Sequence, residues 1–278
     1  MRDIAPNAIQ LIDQARRPGE LHVVEAGSPT APTMLLIHGT AGSLVWWDPI
    51  VSALAEHYRV VRVDLAGHGQ SPPARSYDVA TQANRVSAVL DRLGAGTATV
   101  VGHSSGGFVA TALAEQRPDI IRSLVLINTG PAPDAFAPQG PLSRLVTLPL
   151  VGRLIWTLRS EGTIRRGVGT AFTRPVEIPD AIVDAVRDMT YRAFTQAPRA
   201  SLAYIAQRSM PARLAELEAR VLVIFGTEDR RWRSQSAASY HAVPNARVEL
   251  LPGVGHTPML EEPQITTKLI LEYDPSAR

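Results

Sequence analysis

The sequence predicts an α/β fold: a mostly parallel twisted sheet covered by helices on both faces, with a helical insertion. Three observations predict it. Short β-branched runs recur between helix-like segments along the 278 residues, the alternation of a parallel sheet with crossover helices. Several of these runs are apolar throughout, as in strands covered on both faces. The alternation then stops between residues 129 and 219, where no strand-like run interrupts the helical pattern.

In chain order, the strands fall at 21–25 (LHVVE), 33–37 (TMLLI), 59–63 (RVVRV), 97–101 (TATVV), 123–127 (SLVLI), 220–225 (RVLVIF) and 247–251 (RVELL). Helices are expected at about 45–56, 79–93, 106–116, 234–242 and 262–272. The interrupting block opens with the proline-rich TGPAPDAFAPQGP and then turns helical. Val151, Leu154, Ile155 and Leu158 share one helical face there, as do Ile178, Ile182, Val186, Met189 and Phe194. The block reads as a cap inserted between two sheet strands. Extra core helices would give the same pattern.

Composition narrows the function classes. The chain is 45% apolar and 19% charged with a net charge of +2, the profile of an ordinary globular protein. Arg16/Arg17, Arg165/Arg166 and the run Arg230, Arg231, Arg233 are short and scattered. Nucleic-acid binders concentrate base in a patch or arm, so no nucleic-acid partner is expected. Cysteine is absent, which excludes a cysteine nucleophile, thiolate metal sites and disulfides. The opening MRDIAPNAIQ lacks the apolar run of a signal peptide, and no stretch reaches the length of a membrane span. The expectation is a cytoplasmic protein with no membrane partner.

The chemistry centres on VVGHSSGGF at 100–108. Gly102-His103-Ser104-Ser105-Gly106 follows an expected strand and precedes an expected helix, the setting a G-x-S-x-G nucleophile turn requires. Only Ser104 fits the frame, because Ser105 would need glycine where His103 stands. A serine hydroxyl needs a base, and the base needs an acid to hold it. Gly226-Thr227-Glu228-Asp229 follows one strand, and Pro252-Gly253-Val254-Gly255-His256 follows the next. Asp229 and His256 thus come in the order serine, acid, histidine, in equivalent loops. Turn spacing favours Asp229 over Glu228. Asn128, at another strand end, cannot ionise. His22 and His57 read as strand or surface residues, and His241 falls in an expected helix. Oxyanion donors would be the backbone N–H of Ser105 and of Thr40, in the loop 38–42.

Together these motifs resemble the α/β-hydrolase superfamily over nearly the whole chain. The matching pieces are HGTAG at 38–42, DLAGHGQS at 64–71, GHSSGG at 102–107, GTEDR at 226–230 and GVGHTPMLEEP at 253–263. The resemblance implies an α/β-hydrolase fold with core residues 1–130 and 212–278 around a helical cap at 131–211. It also implies Ser104 as nucleophile, Asp229 as acid, His256 as base, and Thr40 and Ser105 as oxyanion donors. Asp64, His68, His38 and His103 are then scaffold. Arg230, Arg231 and Arg233 depart from the family's apolar continuation of the acid loop. They could meet an anionic substrate, pair with the cap or face solvent.

A serine at position 104 argues against dehalogenases and epoxide hydrolases of this fold, which use aspartate there. The leading expectation is a hydrolase of a carboxylic ester, lactone or thioester that needs neither metal nor cofactor. Hydrolysis of a carbon–carbon bond in a diketone or dienone, and a lyase or cofactor-free oxygenase, are alternatives on the same scaffold. A non-catalytic ligand-binding protein is the alternative from another class. The substrate is a small molecule, and Gly39, Trp46, Trp156 and Phe194 are its expected contacts. Trp47, Leu145, Val146, Leu148, Met189 and Tyr191 are further apolar candidates, which makes a largely apolar substrate plausible.

Overall fold

Apolar β-branched runs build the sheet, and their register decides which loops meet at its edge. The computed structural model describes residues 12–13, 19–137 and 145–273. Its strands are β1 (Ile12–Asp13), β2 (Val23–Ala26), β3 (Thr33–Ile37), β4 (Arg59–Val63), β5 (Ala98–His103), β6 (Ile121–Ile127), β7 (Arg220–Gly226) and β8 (Ala246–Leu251). They form one eight-stranded sheet in the order β1-β2-β4-β3-β5-β6-β7-β8. β2 is antiparallel to both neighbours, and every pairing from β4 across to β8 is parallel.

Burial on both faces explains the uninterrupted apolar runs. Leu35, Val61, Val100, Leu124 and Val223 pack on one side, against α2 (Val79–Leu93) and α3 (Ser105–Gln116). Met34, Leu36, Val60, Val101, Val125 and Leu222 pack on the other, against α1 (Asp48–Ala55) and a C-terminal helix, Pro263–Tyr273. Successive strand residues point to opposite faces, so a run covered on both is apolar at most positions; Thr99 and Ser123, buried polar exceptions on neighbouring strands, bond each other at 3.1 Å. The short β1 lacks such a run, and sequence patterning misses it.

Two expected helices differ in kind. The 45–56 segment opens as a 3₁₀ turn at Leu44–Trp47 before α1, whose first turn holds a proline. The 234–242 segment is 3₁₀ along its length, Ser234–Ala242. Ser236 Oγ donates to the Arg233 carbonyl at 2.6 Å and Ser239 Oγ to the Ser236 carbonyl at 2.8 Å. These short side-chain bonds compete with an α-helical ladder.

Between β6 and β7 the described residues are helical and contain no strand: α4 (Pro149–Thr157), α5 (Glu161–Gly169), α6 (Asp180–Asp188), α7 (Tyr191–Gln207) and α8 (Met210–Leu214). Residues 138–144, part of the proline-rich opening, lie outside the description. The segment has its own core, Trp156, Ile164, Val183, Val186, Met189 and Ala193, with Ala41 of the loop after β3 at its edge. The stripe Val151, Leu154, Ile155 and Leu158 turns out to face solvent, with Leu158 72% exposed. Trp156 turns inward instead. The second stripe is broken at Thr190, whose hydroxyl accepts from Ala193 N–H at 3.1 Å and caps α7. C-terminal to β8 come α9 (Pro258–Glu261) and α10 (Pro263–Tyr273). No described helix is long and apolar enough to cross a membrane.

Only Ser104 separates β5 from α3, so the helix starts hard against the end of β3. A Cβ on Gly106 would lie 2.3 Å from the Ile37 carbonyl oxygen and 2.5 Å from that of His38. Gly106→Ala must push α3 off β3. We expect a loss of about 3 kcal/mol and a Tm roughly 6–12 °C lower by calorimetry. An unchanged melting curve would mean that the helix can step back freely.

Candidate active site

Register brings five loops together. Ile37 pairs with Gly102, His103 with Ile127, Ile127 with Ile224, and Gly226 with Leu251. The residues that follow are therefore neighbours at the carboxyl edge of the sheet. The chain order reverses across β3, with β4 on one side and β5 on the other, and such a switch point opens a crevice there.

Ser104 occupies the turn between β5 and α3 with φ 51° and ψ −120°, a strained backbone that costs on the order of 1–3 kcal/mol. Three bonds hold it. Ser104 N–H donates to the Ile127 carbonyl at 2.8 Å, and its own carbonyl accepts from Gly107 N–H at 3.0 Å and Thr129 Oγ1 at 3.1 Å. The hydroxyl does not cap α3. Among the described residues Ser104 Oγ makes no hydrogen bond, to His256 or to any other group. Such contacts are often long in a site without substrate.

The acid–histidine pair is closed. His256 Nδ1 lies 2.9 Å from Asp229 Oδ2. The carboxylate accepts three further bonds: Asn128 Nδ2–H at 2.7 Å on Oδ2, and the N–H groups of Arg231 at 2.7 Å and Trp232 at 3.2 Å on Oδ1. Burial pushes the Asp229 carboxyl up, but His256, Asn128 and the backbone donors outweigh it, and its pKa ends below the usual value. An ionised Asp229 takes the proton of Nδ1 as a hydrogen bond and leaves the lone pair on Nε2.

Asn128 is a residue of the candidate site that its sequence position alone does not reveal. It sits at φ 45°, a conformation asparagine tolerates better than most residues. Besides Asp229, Nδ2 donates to the Gly255 carbonyl at 3.2 Å, and Oδ1 accepts from Gly226 N–H at 3.3 Å. It ties the acid loop to the histidine loop. Its one sequence signal is its place at a strand end.

Thr40 and Ser105 meet directly, with their hydroxyl oxygens 2.9 Å apart. Ser105 opens α3, where an N–H lacks an intrahelical acceptor. Among the described residues neither Thr40 N–H nor Ser105 N–H donates to the protein. A Cβ on Gly39 would lie 2.9 Å from Ser104 Cβ, so this loop passes against the serine. His38 holds it: Nδ1 donates to the Gly39 carbonyl at 2.7 Å, and Nε2 accepts from Leu65 N–H at 2.9 Å.

Burial keeps the surrounding histidines neutral. It lowers His38, and it brings His68 and His103 to about 3. His103 Nε2–H donates to the His256 carbonyl at 2.8 Å, and the two rings lie 4.9 Å apart. His22 is neither a simple strand nor a surface residue. It is buried with Nδ1 2.7 Å from Asp64 Oδ2. Asp64 also accepts from the N–H groups of Leu44 and Gln70 and so organises its turn as scaffold.

The remaining expected contacts divide. Trp46 is beside the site, its ring stacked on His103 at 6.1 Å, whereas Trp47 is core. Trp156 is a packing residue of the insertion. It stacks on Phe194 at 4.1 Å, carries the Arg159 guanidinium on its ring and donates from Nε1 to the Met189 carbonyl. Arg231 and Arg233 tie the acid loop to its surroundings: Arg231 Nη2 donates to Thr170 Oγ1 at 2.5 Å, and the Arg233 side chain bonds the Asp134 carbonyl. Residues 170–174 of the insertion in fact run between both loops. His256 N–H donates to the Ala171 carbonyl at 3.0 Å, Thr173 Oγ1 to the Glu228 carbonyl at 3.2 Å, and Arg174 Nε to the Gly253 carbonyl at 3.0 Å. No group of three metal-ligating side chains occurs among the described residues.

A model of the alpha/beta hydrolase family matches residues 34–268. An uncharacterized protein of Mycobacterium tuberculosis is 29% identical over 95% of this chain and 80% of its own length. A putative carbamate hydrolase of Variovorax paradoxus is 28% identical over 91% and 95%. Among solved structures, a membrane phospholipase A superposes with a TM-score of 0.74 at 26% identity, covering 94% of this chain and 85% of that one.

Asn128→Ala removes a donor to Asp229 and orphans two backbone groups, which should cost about 2–3 kcal/mol in urea unfolding at neutral pH. Asp229 is held below its unfolded value, so its share of stability is full above about pH 4 and is lost as pH falls through its folded pKa. With that donor gone Asp229 is held less low. The gap between wild type and variant should therefore narrow as the medium is acidified, and a gap that is constant or widens below pH 4 would contradict the assignment.

Proposed function

This chain belongs to the alpha/beta hydrolase family, and on that premise we propose that it hydrolyses a carboxylic ester, or a lactone or thioester, of a small and largely apolar substrate through an acyl-enzyme. The observation that carries the reading is the closed Asp229–His256 pair beside a strained, uncapped Ser104. Cleavage at an acyl carbon is also what the names of the carbamate hydrolase and the phospholipase A relatives describe.

Ser104 Oγ attacks the carbonyl carbon and its proton passes to His256 Nε2. The carbonyl electron pair moves to oxygen, where the N–H groups of Thr40 and Ser105 stabilise it. The tetrahedral intermediate collapses, the C–O bond to the leaving group breaks, and His256 returns the proton to the departing alcohol. Water then gives a proton to His256, attacks the acyl carbon and releases the acid, and Ser104 recovers its proton. Asp229 stays ionised throughout, orients the ring and stabilises the imidazolium. Residues 131–211 serve as the cap over this chemistry. The reaction uses no cofactor or metal.

A panel of p-nitrophenyl esters, thioesters, lactones and diketones, run beside Ser104→Ala, tests the reading. We expect ester turnover in the wild type and a fall in kcat of at least about 10³-fold in the variant, with KM little changed. Turnover of the diketones alone would favour carbon–carbon hydrolysis, and substantial activity in Ser104→Ala would favour a lyase or oxygenase. Stoichiometric binding without product would make the protein a receptor.

A further inference from the structure

Glu261, at the end of α9, takes no part in the chemistry above, yet its buried carboxyl group accepts five hydrogen bonds. Oε2 accepts from the N–H groups of Thr173 at 2.9 Å, Arg174 at 3.1 Å and Gly255 at 3.0 Å. Oε1 accepts from Thr257 N–H and Thr257 Oγ1, both at 3.2 Å. The donors come from both sides of His256 and from the insertion. A Cβ on Gly255 would lie 2.8 Å from Glu261 Oε1 and 2.9 Å from Thr173 N, so the clamp also dictates glycine just before the histidine.

We propose that Glu261 is a positioning residue for His256, clamping residues 255–257 to residues 173–174 so that the seating of the insertion and the alignment of the base are one event. The inference rests on His256 acting as the base. With residues 255 and 257 fixed by Glu261, the His256 N–H by Ala171 and its carbonyl by His103, only the side-chain torsions remain free. The bond to Asp229 then sets these. Removing the carboxylate leaves buried N–H groups on both segments without an acceptor. The loop must shift to satisfy them, and the ring shifts with it. A displacement of about 1 Å is enough to cost on the order of 10²-fold in rate.

Glu261→Gln keeps the shape and loses one acceptor oxygen. For a short p-nitrophenyl ester we expect kcat to fall about 10–100-fold with KM within about threefold. The low-field proton signal of the His256–Asp229 hydrogen bond should be sharp in the wild type and broadened in the variant. Amide hydrogen exchange at 173–174 and 255–257 should quicken, while the sheet amides stay protected. The last two measurements need no substrate. If the wild type lacks ester turnover but the signal still broadens, the hydrolase reading fails and the clamp stands. A folded variant with wild-type kcat and a sharp signal overturns the clamp. Should Glu261→Gln not fold, Thr257→Val removes a single donor. A three- to tenfold fall in kcat supports the proposal there, and wild-type values with an unchanged signal overturn it.

Discussion

The parallel pairing of β3 with β5 is the constraint on which everything else depends. With Ile37 opposite Gly102, the loop 38–42 and the turn at Ser104 must leave the sheet side by side. Their crossover helices lie on opposite faces of the sheet, α1 on one and α3 on the other. The Thr40–Ser105 hydroxyl pair and the contact of Gly39 with Ser104 follow from that placement. So does the need for glycine at 106. A slip of one residue would turn the apolar side chains of β5 to the wrong face and carry Ser104 away from Thr40.

Electrostatics then single out one histidine. His38, His68 and His103 are all within the same region, and burial keeps each of them neutral. Both nitrogens of His38 are committed to the backbone, and His103 spends Nε2 on the His256 carbonyl. Among the histidines here, His256 is the one paired with a carboxylate that is itself held ionised by donors on both oxygens; the other such pair, His22 with Asp64, belongs to the scaffold turn. The neutral histidines serve as geometry, and the paired one is the base of the proposed reaction. Residues 170–174 complete the frame from the insertion side, so the site is built from core and insertion together.

Much of this was legible in the sequence, for physical reasons that differ by element. Central strands announce themselves because burial on both faces leaves few polar interruptions, such as Arg62, Thr99 and Ser123. Ser104, Asp229 and His256 stand out because each sits just past a strand end in a fixed order. The misses are residues whose roles exist only in three dimensions. Asn128 looked like a poor acid, and only its left-handed backbone and its reach to Asp229 reveal what it does. Glu261 lay inside the stretch GVGHTPMLEEP, which marked the family without giving that side chain a task. Trp156 read as a pocket aromatic because periodicity cannot tell which face of α4 turns inward. The serine-rich 234–242 segment had helical length but side chains that favour a tighter turn.

The direct test of the account is to find the covalent intermediate. Wild-type protein quenched in acid during turnover of p-nitrophenyl acetate can be digested and its peptides weighed. Acetyl on Ser104, and not on the adjacent Ser105, is the predicted result. An acetyl group on Ser105 or His256, or product release with no acylated peptide at any time, would contradict it.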